Sequence, residues 1–497
     1  MKTILILLDT LNRRHLAAYG SEGVARTPNI DRLAERSIVF DQHWSGSLPC
    51  MPARRDILTG RAAFLEKGWG AIEPYDRTLP EALRGAGCFS HIATDHYHYF
   101  ATGGENYCQA FDTWDFHRGQ EDDPWHSRVT PPPPPDAYYG RVALQRELNK
   151  QLQVREADYP GPRTMTSACD WLERNASEDR FFLMVEAFDP HEPFDAPDSY
   201  LAMYGDDYEG PRYDWPHYGT ADVPQAAQLH LRNRYAANLS MIDHWLGKLL
   251  QVMDRHNLWE DTLVLFTTDH GFLLGEHLQM GKNTMHVYNE LAHLPLMVSL
   301  PGAAGAGSRI AALTQNIDLM PTILDYMDVP IPDSVQGRSL RPVIEGRTDR
   351  VREAALFGYH GMAVNLTDGR YTYMRAPAAA DNHPCYSYTS VPTTFRAYMG
   401  REAPEQIETG RFLPFTSWPV FRIPHTRPGI THDRSREVMQ SQLFDIREDY
   451  EQQSPISDAA LERRMTTKMV GLMREMQAPV EQYIRLGLPL PDGGMTP

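Results

Sequence analysis

Ser47-Leu-Pro-Cys50-Met-Pro52-Ala-Arg54-Arg-Asp-Ile-Leu-Thr-Gly60-Arg61 is the stretch from which the rest of the chain can be read. Pro52 suits the first turn of a helix, and Gly60 suits the position just past its end. The spacing predicts a short helix over 53–59, with Cys50 at its positive N-terminal end. Exposed N–H groups there favour a thiolate and draw anions. Arg54, one turn further on, can aim a planar fork of donors at the same anion. A lone Cys-Pro pair would read as a buried cysteine beside a helix start. Here the whole string bears on chemistry.

The composition narrows the class. A chain of 497 residues can bury a large core, and its length alone points to two or three domains. At 42% hydrophobic it is of ordinary globular composition. A net charge of -17 argues against a nucleic-acid or anionic-membrane binder. An anionic substrate must therefore be drawn by a local basic site against an unfavourable overall field. Cys50, Cys88, Cys108, Cys169 and Cys385 are odd in number and irregularly spaced, which suggests neither a disulfide framework nor a zinc cluster. The apolar run before Asp9 is too short for a signal peptide. No stretch approaches the roughly 20 apolar residues of a membrane span, so a cytoplasmic enzyme is expected.

Along the chain, strands alternate with helices. Residues 3–8 form a continuous apolar run, as in a strand buried on both faces of a parallel sheet, and it ends in Asp9. Helices are predicted over 29–36, 79–86, 166–175, 225–254 and 318–326. Strands are predicted over 37–40, 89–94, 181–187, 262–266 and 295–299. Residues 101–162, with consecutive prolines from Pro131 to Pro135, read as an irregular insertion folding over the sheet. From about 355 the texture shifts to shorter strands, with a hairpin strand over 369–374 and a helical end. The expected architecture is a doubly wound α/β sheet over 1–355 and a smaller α+β subdomain over 356–497, with a small antiparallel sheet.

Four strand ends carry candidate site residues. Asp9, Asp269 and His270 end two apolar strands, where open α/β sheets place their ligands. Hard oxygen donors there suit Ca²⁺, Mg²⁺ or Mn²⁺. His191 follows the strand 181–187 in Asp189-Pro-His191-Glu-Pro-Phe194. His96 and His98, two residues apart, would share a face if the strand 89–94 continued through them. An alternative register would put Asp95 and Tyr97 in the site instead.

Cys50-x-Pro-x-Arg54 followed by Leu-Thr-Gly-Arg resembles the signature of the formylglycine-dependent sulfatases, within the alkaline-phosphatase-like superfamily. Thr268-Asp-His-Gly271 with Gly275-Glu-His277 and Lys282, the His191 string, and residues 442–449 are similar to further elements of that family. The resemblance implies that a formylglycine-generating enzyme oxidises Cys50 to 3-oxoalanine (formylglycine), whose hydrate is the nucleophile. It implies one divalent metal, Ca²⁺ first and Mn²⁺ or Mg²⁺ next, held by Asp9, Asp269, His270 and modified Cys50. Arg54 and Lys282 would bind the substrate and take part in catalysis, and His191 would act as general acid.

This chain departs from the family pattern in three places. Ala53 replaces a common serine, and Thr10 stands where a second acidic residue or glutamine is usual. His96 and His98 stand where a Lys-x-His pair is usual, His96 as a substrate-binding residue and His98 as a catalytic one. The implied activity is hydrolysis of a small-molecule or saccharide sulfate monoester through a sulfated formylglycine. Rival readings are a phosphonate monoester or phosphodiester hydrolase on the same scaffold, and a non-catalytic binding protein. Neither nucleic acid nor membrane is an expected partner, and a homo-oligomer is left open.

Overall fold

The strand Lys2–Leu8 is buried over its whole length and lies inside a nine-stranded sheet of the computed structural model, which describes residues 1–20, 25–425 and 439–491. Phe181–Ala187 and Thr262–Thr267 flank it in parallel, with Ile6 opposite Val185 and Phe266. Phe89–Thr94 and then Thr113–Phe116 extend the parallel part on one side. On the other side Leu296–Ser299 runs antiparallel, followed by Ile38–Trp44 and its parallel partner Arg309–Gln315.

Period-two alternation explains the layering. Ile4, Ile6 and Leu8 enter a core shared with Leu239 and Ile242 of the helix Gln225–Arg255. Leu5 and Leu7 enter a second core with Ile57 of the helix Cys50–Thr59 and Ile323 of the helix Leu319–Tyr326. Helices therefore cover both faces of a mixed sheet, as expected of a doubly wound α/β fold.

Several bounds differ from the sequence reading. The signature helix runs Cys50–Thr59, one turn earlier than predicted. Pro52 still fits, because N–H groups of a first turn have no partner within the helix. Likewise Pro160–Asn175 begins with Pro160 and Pro162 in its first turn, ahead of the predicted residue 166. The stretch 101–162 is not wholly irregular: it supplies the edge strand Thr113–Phe116 and the helix Leu144–Lys150. Arg309–Gln315 was not foreseen as a strand.

Gly60 ends the signature helix as the sequence required. Its φ is 64°, and a Cβ there would stand 2.8 Å from the Val335 side chain.

The C-terminal part builds a five-stranded sheet in the order Gln442–Asp445, Tyr371–Arg375, Val364–Thr367, Ala355–Tyr359 and Ser47–Leu48. Leu461, Met465, Met469 and Met473 recur every fourth residue along Ala459–Glu475 and bury one helix face against this sheet. Its last strand pairs parallel to Ala355–Tyr359, with Ser47 opposite Gly358. The segment that delivers Cys50 is thus held by the C-terminal sheet as well as by its own helix.

Candidate active site

Four adjacent parallel strands end on one edge of the large sheet. Phe89–Thr94 leads into Asp95 and His96, Phe181–Ala187 into Asp189 and His191, Lys2–Leu8 into Asp9, and Thr262–Thr267 into Asp269 and His270. The helix Cys50–Thr59 points its N-terminus at the same place, and all its residues are buried.

Arg54 is the hub, fully buried. Its Nη2 donates to Asp9 Oδ2 at 2.7 Å, its Nη1 to Asp269 Oδ2 at 2.5 Å, and its Nε to Glu186 Oε1. The sequence reading assigned Arg54 to the substrate. In the structure its three nitrogens are committed to three carboxylates. Glu186 was not foreseen, although a lone charge in Phe-Phe-Leu-Met-Val-Glu-Ala was the available signal.

Cys50 Sγ lies 3.2 Å from His270 Nε2, 3.6 Å from Lys282 Nζ and 3.9 Å from Asp9 Oδ1. The helix terminus does not activate this thiol as expected. Burial, then the Asp9 carboxylate, push it well above the usual thiol range. A sulfur kept as thiol is a poor nucleophile.

Thr10 is tied into the site by three hydrogen bonds. Its backbone adopts φ 63°, rare for a β-branched residue. That turn aims its N–H at Asp269 Oδ1 (3.0 Å), while its hydroxyl donates to Asp9 Oδ1 (2.6 Å) and accepts from Lys282 Nζ (2.9 Å).

The donor set fits a divalent cation. One ligand atom from each of Asp9, Cys50, Asp269 and His270 lies within 4.8 Å of the others. Burial holds His270 down to about 3, and its Nδ1–H donates to the Gly271 carbonyl at 2.8 Å, so Nε2 presents a lone pair. Burial, then Asp269, push the Asp9 carboxyl up to about 7. Burial also acts to raise Asp269, but His270, Arg54 and Lys282 outweigh it and hold that carboxyl low. Two carboxylates competing for one guanidinium are relieved by a cation between them.

The histidines gather on the neighbouring strand ends. Residues Tyr97–Phe100 form a 3-10 turn, so His96 and His98 meet through that turn and not through strand alternation; their rings lie 5.0 Å apart. Asp95 accepts from Phe188 N–H and Gln120 Nε2, and Tyr97 donates to Glu121 and Asp122, so the alternative register is spent on structure. Burial, then Arg54, hold His96 well below its usual range. Burial, then Lys282, do the same to His191, whose Nδ1 donates to the Glu192 carbonyl. A neutral ring with that proton committed presents Nε2 as an acceptor, whereas the general-acid role expected from the sequence needs a proton there. Glu121 and Glu192, both unforeseen, complete this side.

The sulfatase family pattern matches residues 2–329. The chain belongs to the sulfatase family, the sulfuric ester hydrolases. It is 27% identical over 385 residues to the multifunctional alkaline phosphatase superfamily protein PehA of Trinickia caryophylli, covering 67% of this chain and 74% of that one. It is 26% identical over 428 residues to the N-acetylglucosamine-6-O-sulfatase of Bacteroides thetaiotaomicron, covering 72% and 74%. A protein solved with its substrate D-glucosamine-2-N,6-O-disulfate superposes with a TM-score of 0.66 at 17% identity, covering 96% of this chain and 97% of that one. A phosphonate monoester hydrolase from Silicibacter pomeroyi gives 0.63 at 18% identity, covering 100% and 99%. Both likenesses concern the fold. No helix among the described residues is long and apolar enough to cross a membrane.

Proposed function

We propose that this chain hydrolyses a sulfate monoester, of a small molecule or a saccharide, with Cys50 in its formylglycine form as the nucleophile. The observation that carries this reading is the fully buried convergence of Cys50 Sγ with His270 Nε2 and Lys282 Nζ at the start of a helix. A formylglycine-generating enzyme would be the maturation partner, and the hydrated aldehyde would supply an oxygen nucleophile that the raised thiol cannot. Asp9, Asp269, His270 and residue 50 would hold one divalent ion, Ca²⁺ first and Mn²⁺ or Mg²⁺ next. Such an ion lowers the pKa of a hydroxyl bound to it and neutralises ester oxygens.

The chain's own residues divide the work. Arg54 holds the three carboxylates apart and in place. Lys282, oriented by Thr10, faces the nucleophile and balances substrate charge. His96 and His98 line the anion's other side, and His191 stands towards the leaving group. We take 1–355 as the catalytic unit and 356–497 as the subdomain that braces Ser47–Leu48.

A second reading is hydrolysis of phosphonate monoesters or phosphodiesters, favoured by neutral His96 where the family pattern has a fixed lysine charge. Turnover of aryl sulfate, aryl phosphonate and phosphodiester, on protein whose residue-50 modification is quantified by mass spectrometry, tests both. Sulfate turnover well above the other two supports the first reading, and the reverse order supports the second. No turnover of any of the three by fully modified protein would overturn both.

A further inference from the structure

Around the nucleophile, five buried carboxylates, Asp9, Glu186, Asp269, Glu121 and Glu192, stand beside two buried basic side chains among the described residues, Arg54 and Lys282. With all five ionised, as cation binding requires of its ligands, the deficit is three charges. One divalent ion at Asp9 and Asp269 leaves the pocket negative, yet the proposed substrate is an anion. A second divalent ion makes it positive.

The structure supplies a second set of donors. One ligand atom from each of Glu121, His191 and Glu192 lies within 4.8 Å of the others, and all three residues are buried. Glu192 Oε2 makes no hydrogen bond among the described residues, although Glu192 is fully buried. Its other oxygen accepts from Tyr218, and Lys282 Nζ stands 3.9 Å from Oε2. His98 Nε2 lies 3.2 Å from Glu121 Oε2, and neither His98 ring nitrogen makes a hydrogen bond. His191 Nδ1 lies 3.4 Å from Glu192 Oε2, and buried carboxylate and imidazole atoms gathered in one place without hydrogen bonds cost stability unless something binds them. Glu121 also adopts φ 44°, a strained backbone of the kind that persists at functional sites.

We propose that Glu121, His191 and Glu192, with His98 as the fourth donor, form a second divalent-cation site beside the Asp9–Asp269–His270 site. Two imidazoles and two carboxylates suit Zn²⁺ or Mn²⁺ more than Ca²⁺. Lys282 links the second site to the first, since its Nζ donates to Thr10 at 2.9 Å and stands 3.9 Å from Glu192 Oε2. An ion held there brings positive charge to the leaving-group side, where neutral His191 brings none.

This proposal uses the site defined above but not the identity of the ester, so the two can fail separately. The test is metal content by plasma mass spectrometry after equilibration of the full chain with Mn²⁺ or Zn²⁺, together with electron paramagnetic resonance of the Mn²⁺ form. The expected result is two ions per chain and a coupled Mn²⁺ pair. Glu121→Gln with Glu192→Gln should reduce the content to one uncoupled ion, and Asp269→Ala should retain one ion at the second site. If the double variant does not fold, the wild-type count and spectrum decide alone. One ion per chain at saturating Mn²⁺ and Zn²⁺ overturns the site, even if sulfate turnover is normal. So does a single ion combined with marked preference for esters carrying an ammonium group, which would make Glu121 and Glu192 a cation pocket for substrate. Two ions without sulfate turnover would uphold the site and sink the sulfatase reading.

Discussion

Lys282 Nζ donates to Thr10 Oγ1 at 2.9 Å, and Thr10 in turn donates to Asp9 Oδ1 at 2.6 Å. The hydroxyl therefore links the ammonium above the nucleophile to a carboxylate below it. Thr10→Val keeps the side chain's shape and its branched Cβ but breaks both bonds. Turnover should fall on the order of tenfold, about 1.4 kcal/mol in the barrier, while metal content stays at the wild-type level. Thr10→Ser should restore most of the rate. Equal rates for the valine variant and wild type would show that Lys282 is positioned by its carboxylate neighbours alone.

Cys50 should be catalytic only after oxidation. Burial keeps its thiol protonated, so unmodified protein should be inactive, and turnover should rise in proportion to the formylglycine fraction measured on the residue-50 peptide. Cys50→Ala should lose all turnover and still fold, because the site is held by Arg54 and not by the sulfur. Full activity in protein shown to be unmodified would refute the mechanism.

Arg54 joins Asp9, Glu186 and Asp269 with no exposed atom among the four side chains. Arg54→Ala strands three buried carboxylates and should cost on the order of 3–5 kcal/mol. Arg54→Lys, a point charge that cannot fork, should be nearly as damaging. A divalent ion should partly rescue the melting temperature of either variant, since it meets the same charges, and a chelator should lower the melting temperature of wild type. A variant unaffected in melting temperature and in metal response would mean that the carboxylates are neutral in the folded chain.

The large sheet was legible because its central strands are uninterrupted apolar runs, and Asp9, Asp269, His270 and His191 because each stands just where such a run stops. Glu121 was not legible: it lies in a Gly- and Asp-rich stretch whose path no periodicity reveals, and only the tertiary fold brings it to His98. Glu192 sat in plain view beside His191, but nothing local says which way a residue between two prolines points. The early start of the signature helix was hidden for a different reason. Proline is tolerated anywhere in a first turn, so Pro52 marks the start only to within one turn. The role of Ser47 depends on its pairing opposite Gly358, more than 300 residues away.

Asp56, on the signature helix, accepts from Ser47 N–H, from Ser47 Oγ at 2.8 Å and from Ala63 N–H at 3.2 Å. Burial pushes its carboxyl up to about 7, with those hydrogen bonds opposing. A folded pKa above the unfolded one adds stability below the unfolded value of 3.8, and that stability is lost as pH rises through about 7. Asp56→Asn, neutral at every pH, should therefore be least favourable near pH 4 and gain on wild type towards pH 8. The swing should be on the order of 4 kcal/mol at full expression. Denaturant melts of both proteins at four pH values measure it, and parallel curves would show that Asp56 titrates normally.

His96 and His98 should govern the choice of anion through shape and hydrogen bonding more than through charge. Burial and Arg54 keep His96 neutral across the working range, so its titration should not produce a loss of activity as pH rises through 6.5. Its ring still stacks on Tyr99 at 4.8 Å with both nitrogens free of hydrogen bonds among the described residues, poised for ester oxygens. His96→Ala and His98→Ala should each lose about tenfold or more in kcat/KM. A site without a second fixed cationic side chain should prefer esters bearing one negative charge. Sulfate monoesters should be turned over well, and phosphate monoesters, with about two charges near neutral pH, poorly. Replacing His96 by lysine restores a fixed charge next to His98 and should narrow that gap by raising phosphate monoester turnover. An unchanged sulfate-to-phosphate ratio in the lysine variant would place the anion's charge recognition elsewhere, on Lys282 and the bound metal.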